Sequence, residues 1–200
     1  MIKEALHALR GSERPVLIYG AGVRLAGATD EARLLARLLD IPVAPTWGAR
    51  DLFPEEPGVL CVGGFGTHGT RAANFAVQNA DWILSVGSRL DSKATGTPRS
   101  YFARAAAVFM VDIDPAEIRK FGGALGRVFC GVQADARMFL RDIIAEARRG
   151  AAWPDFAAWR WQCAEWRRRY PACRPEYEQE MRVNPYVFVK KLSEHCQPGE

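Results

Sequence analysis

The apolar residues of the chain follow two rhythms. Short continuous runs fall at 16–19, 41–44, 82–86, 106–111 and 128–132. Between them, apolar side chains recur every three or four positions over 2–10, 30–39, about 70–79 and 136–148. Runs of the first kind read as strands buried on both faces, and spacing of the second kind reads as helices with one buried stripe. The punctuation agrees. Residues 11–15 (Gly-Ser-Glu-Arg-Pro) break the first helix, Thr29 or Asp30 is placed to cap the second, and Pro115 suits the first turn of another. Stretch 47–58 is a loop rich in Gly and Pro, and 59–69 is dense in glycine. Strands alternating with helices predict an α/β domain with a doubly wound, mostly parallel sheet of six strands and helices on both faces.

After Gly150 the pattern changes. Phe156, Trp159, Cys163, Trp166 and Tyr170 are spaced by threes and fours, one apolar stripe on a helix that Pro171 stops. This stripe is expected to pack. Residues 171–183 read as linker. Asn184 and Pro185 then open a helix carrying Val187, Phe188 and Leu192, with Asn as cap and Pro at the first position. The expected organisation is a domain at 1–150, a helical linker at 151–183, and at 184–200 the first helix of a further domain. An exposed stripe there predicts self-association.

Composition narrows the class. An apolar fraction of 48% and a charged fraction of 25% are ordinary for a globular protein. The net charge of +4 is spread along the chain. Arg167, Arg168 and Arg169 stand beside Trp166 and Tyr170. Such a cluster can bind nucleic acid, but a solvated helix face is the plainer reading, and no nucleic-acid partner is expected. The five cysteines are odd in number and none has C-x-x-C spacing. They read as reduced thiols of a cytoplasmic protein, with neither disulfide nor zinc. No apolar run approaches the ~20 residues of a membrane helix, so no membrane partner is expected.

In parallel sheets ligands lie at the carboxyl ends of the strands. Polar residues gather at those ends here: Gly20 to Gly22, His68, Arg89 to Asp91, Asp112 to Asp114, and Asp135. The first strand runs into Gly20-Ala21-Gly22 and then a helix, the arrangement of a phosphate-binding turn. Leu25 occupies the place of the third glycine of the dinucleotide fingerprint, and Asp40 precedes the strand whose end should carry the ribose acid. Two readings of the turn stay open, an anion cradle and a tight turn without ligand. Asp112 and Asp114 look like an acid pair, yet no nucleophile stands near them in the sequence.

Taken as a set, five segments resemble the central domain of thiamine-diphosphate enzymes, above all the acetolactate synthase large subunit. They are Gly20-Ala21-Gly22, Gly66-Thr67-His68-Gly69-Thr70, residues 72–81 (AANFAVQNAD), Gly87-Ser88-Arg89-Leu90-Asp91, and residues 111–118 (VDIDPAEI). The resemblance covers about residues 14–148. It implies a Rossmann-like, DHS-like nucleotide-binding fold. It also implies a parent of three domains, homo-oligomeric, with thiamine diphosphate and Mg²⁺ held by the N- and C-terminal domains. In the acetolactate synthase branch this central domain binds FAD in a structural role and carries no catalytic group; elsewhere it binds ADP or nothing.

Carried over, Gly20, Ala21 and Gly22 would approach the diphosphate. Gly66, Thr67 and His68 would follow the flavin side. Gly87, Ser88, Arg89 and Asp91 would form a second segment, with Arg89 pairing with the diphosphate. Asp112 and Ile113 would stand beside the ribose and adenine, and Asp135 and Ala136 would make a last contact near the adenine. Thr67 replaces the family's Met, and Lys93 replaces its Arg, keeping a charge without the planar fork. Other readings are a nucleotide-free structural domain of another thiamine-diphosphate decarboxylase, an interaction module, and an NAD-dependent sirtuin-like deacylase. The last is disfavoured by Arg24, where that class carries a serine, and by the lack of cysteine pairs.

Overall fold

A computed structural model of the chain describes residues 1–53, 57–122, 125–150 and 152–197. Strands β1 (Pro15–Tyr19), β2 (Val43–Pro45), β3 (Trp82–Val86), β4 (Ala107–Asp112) and β5 (Val128–Gln133) form one sheet. Its order is β2-β1-β3-β4-β5, and every pairing is parallel. Alternate residues serve opposite faces, as the two-residue period of a strand requires. Leu17, Tyr19, Trp82, Leu84 and Val86 enter one core; Val16, Ile18, Ile83, Val108 and Met110 enter the other. Both faces are therefore dry over β1 to β4, which is why these strands read as unbroken apolar runs, whereas β5 at the edge is only partly buried.

The first core is closed by α1 (Ile2–Arg10), α3 (Thr29–Leu39) and α7 (Ala136–Arg149). The second lies under α4 (Arg71–Asn79) and α8 (Ala157–Arg169). Short helices α2 (Ala21–Leu25), α5 (Ser92–Thr95) and α6 (Pro115–Arg119) follow the carboxyl ends of β1, β3 and β4.

Two expectations need correction. The sheet has five strands among the described residues, not six. The place of a sixth, beside β2, is taken by one parallel bridge between Val43 and Cys61, with Val43 N–H donating to Leu60 O and Val62 N–H to Val43 O, both at 2.9 Å. Gly63 follows at φ 93°, a left-handed conformation that ends any continuation. The cap of α3 is not Thr29 or Asp30: Ala28 holds the cap position, with no side-chain bond. The helical stretch expected after the glycine turn is α2 and the helix expected at 30–39 is α3, the two divided at Gly27, whose φ is 62°.

The segment expected as a linker carries a helix that packs. Trp159 and Cys163 of α8 are buried in the second core, and the Trp159 indole N–H donates to Pro15 O at 3.0 Å. Trp166 meets Trp159 and Phe75 edge-on, both at 5.6 Å between ring centroids. By contrast α9 (Pro185–His195) keeps Tyr186, Phe188, Val189 and Leu192 exposed. Among the described residues, no helix is long and apolar enough to cross a membrane.

Candidate functional site

Two adjoining cavities, about 290 and 550 Å³, open where the strands end. Thr46, Gly48, Ser88 and Arg89 belong to the walls of both, so the two form one groove along the rim. Ligand pockets run from about 300 to 1,000 Å³. The smaller cavity is lined by Trp47, Arg50, Thr67, His68, Asp91 and Lys93. The larger is lined by Ala21, Gly22, Asp112, Ile113, Asp135 and Ala136, with Gly87 between them. Segments far apart in sequence thus meet on one rim, His68, Arg89 and Asp112 among them. Gly20 and Gly66 are not among the residues that line either cavity.

The glycines of the first turn have a steric reason. A Cβ on Gly20 would lie 2.2 Å from Gly87 O, and one on Gly22 2.7 Å from Gly87 Cα. The turn sits directly on the backbone after β3, where Gly87 adopts φ 60°. Its N–H groups are largely spent: Gly20 donates to Val86 O and Gly22 to Gly87 O, both at 3.0 Å. With α2 only 5 residues long, the turn offers little to an anion. The ligand-free reading of this turn gains from the geometry.

Loop 63–70 is held from below. Asn74 accepts from Gly66 N–H at 2.8 Å and donates to Gly66 O at 3.1 Å. A Cβ on Gly66, whose φ is 96°, would strike Lys93 O at 2.4 Å. Thr67 donates to that same oxygen through its N–H at 2.8 Å and its hydroxyl at 3.1 Å. This fixes the loop beside α5, so His68 and Lys93 share a wall. The His68 ring meets the exposed Trp47 edge-on at 5.2 Å.

The charged candidates are mostly engaged. Asp91 caps α5 by accepting from Ala94 N–H at 3.0 Å, and Asp135 caps α7 by accepting from Arg137 and Met138. Asp114 caps α6 through Ala116 N–H at 2.7 Å. Asp112 is buried; its carboxylate accepts from Arg89 N–H at 3.3 Å and Asp114 N–H at 3.1 Å. Ser88 bonds Ser85 hydroxyl to hydroxyl. Arg89, itself at φ 58°, sends its guanidinium to Glu117 at 2.8 Å. Glu117 also binds Lys120, and these two cations hold its carboxyl below the ordinary range, the lysine contributing most. The same contact with Glu117 raises Arg89.

Sequence reasoning missed Trp47, Arg50, Asn74 and Glu117. Trp47 and Arg50 lie in a 3₁₀ turn, Trp47–Leu52, directly after β2. Its position after a strand end was the available signal. Asn74 and Glu117 lie inside quoted motifs, but only the fold shows what they touch.

The chain matches the family model "Thiamine pyrophosphate enzyme, central domain" over residues 2–143. It is 41% identical over 144 residues to a probable acetolactate synthase large subunit of Methanocaldococcus jannaschii, covering 72% of this chain and 23% of that protein. It is 34% identical over 177 residues to the acetolactate synthase large subunit of Parasynechococcus marenigrum, covering 88% and 28%. It is 31% identical over 196 residues to acetolactate synthase 1, chloroplastic, of Oryza sativa subsp. japonica, covering 97% and 29%. The chain spans about a quarter of the length of the curated relatives it matches.

Proposed function

The chain belongs to the thiamine pyrophosphate enzymes, as their central domain, and on that premise we propose that its rim groove binds FAD, or another adenine-bearing diphosphate, in a structural role. The observation that carries this is the shared wall of Thr46, Gly48, Ser88 and Arg89, which joins the two cavities into one groove. The order of side chains along it suits an adenine dinucleotide. At one end the Asp112 carboxylate is an acceptor for ribose hydroxyls, beside the exposed Ile113. A carboxylate has about four lone-pair sites, and backbone N–H groups use two of them here. In the middle stands Arg89, with Arg50 and Lys93 further along, to meet the diphosphate. At the other end Trp47 and His68 offer rings to a flavin. Bound in this role, the flavin supplies shape and charge and transfers no electrons.

The groove's own chemistry agrees with holding rather than transforming. Asp91, Asp114 and Asp135 cap helices, and Asp112 braces a turn. We assign the whole enzyme an acetolactate synthase-like activity, decarboxylating a 2-keto acid such as pyruvate and ligating the product. Thiamine diphosphate and Mg²⁺ would be held by domains outside this stretch, in a cytoplasmic homo-oligomer. This chain alone should consume no pyruvate when thiamine diphosphate is added; turnover would refute that.

A second reading, a nucleotide-free scaffold domain, draws on Arg89 being paired with Glu117 and on the spent N–H groups of the glycine turn. A thermal-shift screen with FAD, ADP, NAD and coenzyme A separates the two. A shift with FAD or ADP supports binding, and none with any ligand favours the scaffold.

A further inference from the structure

We infer that Glu117 is an internal substitute for a ligand's phosphate: its carboxylate holds the Arg89 guanidinium at the junction of the two cavities, and a diphosphate-bearing nucleotide must displace it to bind. This rests on the adenine-nucleotide reading of the groove.

Arg89 Nη2 donates to Glu117 Oε1 at 2.8 Å, and Lys120 binds the other carboxylate oxygen. One carboxylate therefore meets two cations, and of these only Arg89 borders the cavities, so Arg89 is the partner that a phosphate in the groove would take over. The Glu117 side chain is only 16% exposed while Arg89 is 70% exposed. The acid is thus set into the wall, and the arginine tip reaches it from the open groove.

The acid is delivered by a rigid support. Asp114 caps α6 and Pro115 starts it. Ile118 packs so tightly on β5 that a Cβ on Gly131 would lie 2.2 Å from it. The Arg89 backbone is equally fixed: Asp112 accepts its N–H at 3.3 Å, and Lys120 Nζ donates to its carbonyl at 2.6 Å. What remains able to move is the Arg89 side chain. An ion pair with one member this open to water is weak enough to exchange. A neutral nucleoside has no need to displace Glu117; a diphosphate does. Glu117 is accordingly a positioning residue acting through Arg89.

The test is calorimetric titration of the 200-residue chain with ADP and with adenosine. The proteins are the wild type, Glu117→Gln, Arg89→Gln and the double variant. Glu117→Gln should tighten ADP by about two- to five-fold, the range open to an exposed ion pair, and leave adenosine unchanged. That gain should vanish in the Arg89→Gln background, since removing the shared partner abolishes the coupling. Glu117→Asp, which shortens the reach and keeps the charge, should move ADP in the same direction if Glu117→Gln fails to fold. Equal effects on ADP and adenosine, unchanged or weaker ADP binding, or a gain that survives Arg89→Gln would overturn the inference. Wild-type ADP binding that ignores Glu117 sinks this inference alone. No ADP binding by wild type or variant removes the groove reading and this inference together.

Discussion

Gly22 and Gly87 face one another with no room for a side chain on either. A Cβ on Gly22 would lie 2.7 Å from Gly87 Cα, and one on Gly87 2.8 Å from Gly22 Cα. Gly87 also has φ 60°, where a side chain is strained whatever the space. Gly87→Ala should therefore cost about 1–3 kcal/mol, the range for forcing atoms into a packed site. Urea unfolding measures it, and a change under about 0.5 kcal/mol, the level of an inert surface substitution, would show that the turn gives way.

Trp159 ties α8 to the sheet through its bond to Pro15 O and its place in the second core. Trp159→Ala should cost about 3–5 kcal/mol, as large core truncations do. A loss near zero in the same unfolding experiment would mean that α8 is only loosely laid on the domain.

Asn74 holds the Gly66 loop through two bonds. Asn74→Ala leaves a backbone N–H and a carbonyl without that partner, at about 1–3 kcal/mol. Because the loop carries His68, FAD affinity should fall with stability. Full affinity in a variant that unfolds more easily would separate the loop from the groove's function.

The Glu117 carboxyl is depressed in the folded chain by Lys120 and Arg89. A depressed acid contributes stability above its unfolded value, and that contribution is lost as pH falls through the folded one. The stability gap between wild type and Glu117→Gln should thus be constant above about pH 5 and close as pH falls below about 4, around the ordinary glutamate value. A gap that widens on acidification would contradict the pairing. Chemical-denaturation curves at several pH values give it directly.

Burial pushes the Cys163 thiol up to about 12, whereas Cys196 is exposed. Iodoacetamide at about pH 8, near the ordinary thiol value, should label Cys196 rapidly in the native chain and Cys163 only on unfolding. Mass spectrometry of the labelled peptides reads the order, and early labelling at Cys163 would place α8 away from the core.

The apolar runs made the parallel sheet legible, because strands such as β1 and β3 are buried on both faces and need no polar alternation. The rim was legible for a related reason: Asp112 and Arg89 follow apolar runs, and His68 stands in the glycine-dense stretch 59–69. Other parts were hidden by local chemistry. Gly20-Ala21-Gly22 looks the same in sequence whether glycine admits a phosphate or a neighbouring backbone, and here the neighbour is Gly87. The edge at 59–62 has the residues of a strand, yet Gly63 turns the chain away after one bridge. Glu117 reaches Arg89 across 28 positions, a pairing that no local pattern encodes.

The central claim is that the rim groove holds an adenine-bearing diphosphate between Asp112 and Trp47. Equilibrium titration of FAD fluorescence with the chain tests it most directly. Saturable quenching in the wild type, weakened at least several-fold by Asp112→Asn and by Trp47→Ala, is the predicted result. No saturable change in the wild type, or binding untouched by both substitutions, would contradict it.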